Sequence, residues 1–256
     1  MTEWNPNEYL RFGDERMRPS ADLASRIEVE RPRSVVDLGC GPGNSTSVLK
    51  RRWPDAHVVG LDSSAEMIAA ARTNDPAGEW LEGDIASWEP GRQFDIVFSN
   101  AALQWLPDHG PLISRLFGRV ANDGALAFQI PSATYARVRT LIHEIALEEP
   151  WSERMEGPLN ALTMESPEFY YDNLAASARA IELWETEYLH VMESFSAIVD
   201  WISSTGLRPY LAALDSDAER GEFVARLRER TSRTYETRSD GRVLFPFRRT
   251  FVIAYR

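Results

Sequence analysis

The sequence predicts an α/β protein: an open seven-stranded, mostly parallel sheet with helices on both faces, its last strand antiparallel, plus a helical cover. Three observations predict it. Short apolar runs alternate with helical patterns from residue 34 to 130, and that alternation requires crossover connections between parallel strands. After Pro131 the rhythm turns mainly helical and then ends in two long alternating stretches. No apolar run approaches the ~18 residues that would span a bilayer.

The elements follow in order. The opening "MTEWNPNEYLRFGDERMRP" is polar and charged, unlike a secretory leader, and residues 1–33 read as a segment lying over a site. "SVVDL" is a buried strand and "NSTSVLKRRW" a helix; "HVVGL" and "SAEMIAAAR" repeat the pair. "EWLEG" is a weak third strand, "FDIVFSN" a fourth and "ALAFQI" a fifth, with "GPLISRLFGRV" as the helix between the last two. Residues 34–131 thus form a ligand-binding core. Residues 134–178 read as mainly helical and aromatic, as in "WSERMEG" and "SPEFYYDNL". "AIELWETEYLHVM" alternates like a strand, "FSAIVDWISSTG" is an amphipathic helix ending near Gly206, and "DAERGEFVARLRERTSRTYE" is a long charged helix. "RVLFPFRRTFVIAY" closes the sheet. With no repeat or linker, residues 1–256 read as one domain, in which 132–256 supply the cover and the last two strands.

Bulk properties narrow the function. A net charge of −11 argues against a nucleic-acid partner. Lys50 is the sole lysine, so arginine supplies nearly all the positive charge. Cys40 is the one cysteine, which fits a reducing compartment and points to the cytoplasm. It sits in a glycine turn, where a small side chain suits structure better than nucleophilic chemistry. His57, His109, His143 and His190 lack metal-ligand spacing, so no metal is expected. Composition sets no oligomeric state.

The candidate site begins at "VVDLGCGPGNST", where Gly39, Gly41 and Gly43 end the first strand. Ligands of open parallel sheets bind at the carboxyl ends of strands. Glycines there permit positive φ and close approach of a ligand to the main chain. A dinucleotide turn would read G-x-G-x-x-G; here Asn44 stands where its third glycine would be. Asp62 ends the second strand and is suited to accept both hydroxyls of an adenosine ribose. Ser63 or Ser64 is placed to cap the next helix, and Met67, one turn in, to lie against a purine. Asp84 follows the third strand, suited to an adenine amino group, with Ile85 beside the ring.

"VVDLGCGPG", "GLDSSAEMI", "EGDIASW" and "FDIVFSNAALQW" together resemble the successive motifs of class I S-adenosylmethionine-dependent methyltransferases, over residues 34–131. The resemblance implies a Rossmann-like sheet. It implies that Asp37 and the Gly39–Cys40–Gly41 turn with Gly43 face the methionine part of S-adenosylmethionine, with Asp62 at the ribose and Ser63 among the cofactor-binding residues. Met67, Asp84 and Ile85 would face adenine, and Asn100 with Ala101 the sulfonium end.

"WNPNEYLRFGDERMRP", "SNAALQWLPDH", "STGLRPYL" and "FPFRRTFVIAY" resemble a narrower group of these enzymes that esterifies a carboxylate of a small tricarboxylate. The chemistry agrees. A carboxyl group with a reference pKa of about 4 is already an anion at neutral pH and attacks a sulfonium methyl without a general base. Catalysis would be alignment in a water-poor site, with Tyr9 and Trp105 as aligning aromatics and Trp4 beside them. Tyr135, Trp151 and Tyr170 stand behind these, more suited to core. The remaining carboxylates call for arginine forks. Arg11, Arg16 and Arg18 on the opening segment are candidates, as are Arg137 and Arg139 after the fifth strand and Arg242 and Arg248 at the start of the last. At least two of the seven are expected to converge. Three rivals stay open: another small acceptor, a dinucleotide oxidoreductase, and a non-catalytic cofactor-binding partner protein.

Overall fold

The structure, a computed structural model, describes residues 13–133 and 137–256, with side chains from Met17 onward. Trp4, Tyr9, Arg11 and Tyr135, and the side chain of Arg16, lie outside the described residues.

The first half alternates as the sequence predicts. The elements are α1 (Gly13–Arg26), β1 (Ser34–Leu38), α2 (Asn44–Arg52), β2 (His57–Asp62), α3 (Ala65–Asn74), β3 (Glu79–Glu82), β4 (Phe94–Asn100), α4 (His109–Phe117) and β5 (Val120–Pro131). The second half holds α5 (Arg137–Ala146), α6 (Glu156–Leu159), α7 (Pro167–Leu174), β6 (Ala180–Met192), α8 (Phe195–Ser203), α9 (Arg208–Ala212), α10 (Asp217–Thr234) and β7 (Val243–Tyr255). The sheet order is β3-β2-β1-β4-β5-β7-β6. Strands β1 to β5 pair in parallel, and β7 pairs antiparallel to β5 from Ala125↔Tyr255 to Pro131↔Arg249.

Burial explains the order. Strands with two neighbours and helices on both faces become near-continuous apolar runs. Val35, Val36 and Leu38 of β1 and Ile96, Val97 and Phe98 of β4 are fully buried, so β1 and β4 lie at the centre. β3 lies at one edge, and of its four residues only Trp80 is buried. Serine hydroxyls start four helices by accepting a backbone N–H: Ser64 from Met67, Ser166 from Phe169, Ser194 from Ala197 and Ser216 from Glu219.

Several boundaries differ from the sequence reading. Helix α1 occupies much of what reads as a polar opening segment; Leu23, Ala24 and the following Ile27 are buried, and Arg26 stacks over Trp184 at 4.3 Å. β5 starts at Val120, ahead of "ALAFQI", because its register on β4 shifts between Phe94 and Ile96. α8 ends at Ser203, short of Gly206.

Two compact units are present. The first takes in the described residues up to 133, with 163–186 and 249–256. It carries β1 to β5 and the antiparallel pairing of β7 on β5. The second comprises the described residues of 134–162 together with 187–248. Its interior includes Trp151 packed edge-on against Phe223 with ring centroids 5.1 Å apart. Arg226 and Arg230 of α10 pair with Glu148 at its rim.

Candidate active site

The site sits where β1, β2 and β4 end. Leaving β1, the chain turns through Gly39, Gly41 and Gly43 with φ of 73°, 54° and 94°. Each is in the left-handed region, which L side chains rarely adopt. At Gly39 a second reason forbids a side chain: a Cβ would stand 2.1 Å from the Cβ of Ala102. At Gly41 a Cβ would meet nothing within 4 Å among the described residues.

Hydrogen bonds tie the turn to β2. Gly39 N and Cys40 N both donate to Leu61 O, at 2.7 and 3.0 Å. Gly41 N donates to Asp62 Oδ2 at 2.8 Å, and Ser64 N to Asp62 Oδ1 at 2.9 Å. Asp62 therefore braces the turn while staying half-buried. Burial pushes its carboxyl above the ordinary value, against these backbone donors. Trp80 supports the turn from behind. Its ring fills space that Gly60 leaves, where a Cβ would come within 2.5 Å, and it packs with Cys40, Ile68 and Ala71. The Cys40 thiol is pushed up by burial and suits packing, not nucleophilic attack.

Asp37, near the end of β1, is fully buried. Its Oδ2 accepts from Ser45 Oγ at 2.7 Å and Thr46 Oγ1 at 2.6 Å, fastening the first turn of α2 to the strand. Its Oδ1 is buried and has no hydrogen-bond partner among the described residues. Burial raises its pKa to about 6. Beside it a small cleft is lined by Met17 and Ser20 of α1 with Gly39, Cys40, Asn44, Ser45 and Asn100.

The end of β4 is equally constrained. Ala101 has φ 55°, uncommon for a residue with a side chain. Its N–H donates to Gln129 O and its carbonyl accepts from Gln104 Nε2. A single turn, Leu103–Trp105, follows, with Trp105 half-buried. His109 is the buried first residue of α4 and not part of a turn as the sequence suggests. One ring nitrogen meets Tyr170 Oη at 2.6 Å, the other Leu103 O at 2.9 Å. Burial lowers its pKa, so it is neutral at pH 7 with both nitrogens engaged. Trp151 and Tyr170 are fully buried core, as expected.

The outer residues are placed less uniformly. Met67 is buried one turn into α3, and Ser64, not Ser63, caps that helix; Ser63 is exposed. Ile85 is buried, and Arg115 Nη2 donates to its carbonyl at 2.7 Å. Asp84 is exposed and accepts from Ala86 N at 2.8 Å. Among the arginines, Arg18, Arg137 and Arg242 are exposed. Arg139 is half-buried, donates to His143 at 3.3 Å, and has its pKa lowered by burial. Arg248 is half-buried and lies 3.6 Å from Glu187. The residue that reaches the carboxyl end of β5 inside the core is Arg249, in register with Pro131 and 5% exposed. Two adjacent arginines in "FRRTF" point to opposite faces of a strand, and composition alone does not choose between them. Trp80 was missed too, although three glycines within its reach in sequence and space were a usable signal.

A family model described as a methyltransferase domain matches residues 35–124. The chain is 44% identical over its full length to the full-length trans-aconitate 2-methyltransferase of Azoarcus sp. strain BH72. It is also 44% identical to the enzyme of that name from Methylobacterium radiotolerans, over 99% of this chain and 98% of that one. The chain belongs to the trans-aconitate 2-methyltransferase family. In fold, this family member is similar to Haemonchus contortus phosphoethanolamine N-methyltransferase 2, solved in complex with S-adenosyl-L-methionine. That likeness has a TM-score of 0.57 at 16% identity, over 93% of this chain and 52% of the other.

Proposed function

We propose that this chain transfers the methyl group of S-adenosylmethionine to a carboxylate of trans-aconitate, giving the monomethyl ester and S-adenosylhomocysteine. One observation carries the reading: the glycine turn and Asp62 form one hydrogen-bonded cradle in a chain that matches enzymes of that name end to end.

The residues present fit the methyl donor. At Gly41 a Cβ would meet no described residue within 4 Å, which leaves that side of the turn to a ligand, while the missing Cβ at Gly39 lets Ala102 pack against the turn. The unpartnered Oδ1 of Asp37 is a buried acceptor suited to an ammonium group. When bound, S-adenosylmethionine supplies an electrophilic methyl on a positively charged sulfur. Asp62 has lone pairs left, beyond those that take Gly41 and Ser64, for two ribose hydroxyls. Met67 and Ile85 offer apolar walls for adenine, with Asp84 and Ser63 at the rim. Asn100 and Ala101 stand for the sulfonium end, and the turn around Cys40 for the methionine chain.

The acceptor carboxylate needs no base, since its ordinary pKa of about 4 leaves it ionised. His109, neutral and bonded at both nitrogens, supports a site without one. The O–CH3 bond forms as the C–S bond breaks, the two opposite charges cancel, and no proton moves. Exclusion of water and alignment by Trp105 and Tyr9 then carry the rate. The clamp on the spare carboxylates stays a proposal resting on Arg11, Arg16, Arg18, Arg137, Arg139, Arg242 and Arg248. The single cysteine supports a cytoplasmic location; among the described residues no helix is long and apolar enough to cross a membrane.

A panel of tricarboxylates and dicarboxylates incubated with labelled donor tests both halves. Trans-aconitate is expected to be labelled in preference to the rest. Binding of S-adenosylhomocysteine without label on any carboxylate would overturn the acceptor, and failure to bind it would overturn the donor.

A further inference from the structure

Arg249, Gln129 and Asn100 form a chain of hydrogen bonds from the buried start of the β7–β5 pairing to the cleft. Arg249 Nη1 donates to Gln129 Oε1 at 3.1 Å, and Gln129 Nε2 donates to Asn100 Oδ1 at 2.7 Å. Gln129 is fully buried and Arg249 is 5% exposed, while Asn100 lines the cleft. A guanidinium has donors and no acceptor. It therefore dictates that the oxygen of Gln129 faces Arg249 and the NH2 group faces Asn100. That in turn takes up Asn100 Oδ1 and leaves Asn100 Nδ2, which has no partner among the described residues, with its two N–H donors for whatever enters the cleft.

We infer that Arg249 is a positioning residue that, through Gln129, locks the Asn100 amide so that it offers donors to a carboxylate in the cleft. This rests on the proposed function, because that reading brings carboxylates there. Two sources have the required chemistry: the carboxylate of the acceptor and the carboxylate on the methionine part of the donor. The same oxygen-seeking amide serves either. Asn100 is the residue that touches the ligand; Arg249 acts on it at one remove.

Gln129→Glu isolates the effect. A carboxylate still accepts from Arg249 but no longer donates to Asn100, so the Asn100 amide turns over to donate to Glu and presents its oxygen to the cleft. The experiment measures calorimetric Kd for S-adenosylhomocysteine and KM for trans-aconitate, with thermal melting to check folding. Losing one hydrogen bond to a charged group and gaining an opposing oxygen should weaken the affected ligand roughly tenfold to hundredfold. A rise in KM alone assigns the acceptor carboxylate, and a rise in Kd alone or in both assigns the donor carboxylate. Unchanged Kd and KM in a folded Gln129→Glu overturn the inference. Should that variant fail to fold, Asn100→Asp decides in its place: it keeps the bond from Gln129 and replaces the cleft-facing donor with an acceptor, so unchanged Kd and KM there overturn it equally. A wild-type chain that labels no carboxylate fails the proposed function instead, so the two failures are distinct.

Discussion

Gly39 and Gly41 share a left-handed backbone and differ in surroundings, which makes them a matched pair. Gly39→Ala meets both the positive φ and the Ala102 Cβ at 2.1 Å, whereas Gly41→Ala meets only the φ. Gly41→Ala should cost about 1 kcal/mol of stability, and Gly39→Ala clearly more, with a loss of S-adenosylhomocysteine affinity. Chemical denaturation of the two variants side by side checks the order, and equal costs would contradict the close approach. Asp37 predicts a pH dependence. Its folded pKa of about 6 stands above the ordinary aspartate value of 3.8, so the native state holds its proton more tightly than the unfolded chain. Stability from this proton is complete at acid pH and is lost as pH rises through about 6. Asp37→Asn removes that loss. Between pH 4.5 and 7.5 the stability of wild type relative to Asp37→Asn should fall by about 2 kcal/mol in the ligand-free chain. A pH-independent difference would show that Asp37 is not buried as described. At this scale the sequence was informative wherever backbone chemistry decides, as at the three glycines and the Ser64 cap. It was uninformative at Arg248 and Arg249, where one residue of strand phase separates a half-buried ion pair from a buried relay.

Among the elements, α3 and α7 show how local signals acquire functional weight. Ser64 caps α3 and its N–H also meets Asp62, so one residue joins helix start, strand end and candidate ribose site. Ser64→Ala should cost about 1 kcal/mol through the lost cap, while Ser63→Ala, on an exposed side chain, should leave melting unchanged. Tyr170 of α7 is 0% exposed and its hydroxyl meets His109 Nδ1 and Glu165 N. Tyr170→Phe strands a buried ring nitrogen and should destabilise by about 1–3 kcal/mol. It should also lower kcat, because His109 holds the carbonyl of Leu103 two residues before Trp105. Unaltered melting and kcat would remove that role. β1, β4 and β6 were legible in full, whereas β5 begins at Val120, ahead of the apolar run that marked it. α1 was not: its apolar residues are few and Pro19 interrupts the pattern, so only packing against the sheet reveals the helix.

For the whole chain, ligand linkage gives the broadest prediction. S-adenosylhomocysteine at a hundredfold excess over its Kd should stabilise the protein by about 2.7 kcal/mol, and Asp62→Ala should abolish most of that shift in melting temperature. A full shift in Asp62→Ala would remove Asp62 from the cofactor site. The sequence by itself determined the parallel sheet, the place of the cradle and the kind of ligand it suits. These depend on local periodicity, on glycines where φ turns positive, and on an acid at each strand end, all written within a few residues of one another. Only the tertiary structure decided which arginine reaches the carboxyl edge, that Trp80 backs the glycine turn, and that Gln129 joins Arg249 to Asn100 across the sheet. Those contacts join residues distant in the chain, and their geometry follows from strand order and register, which no single segment encodes.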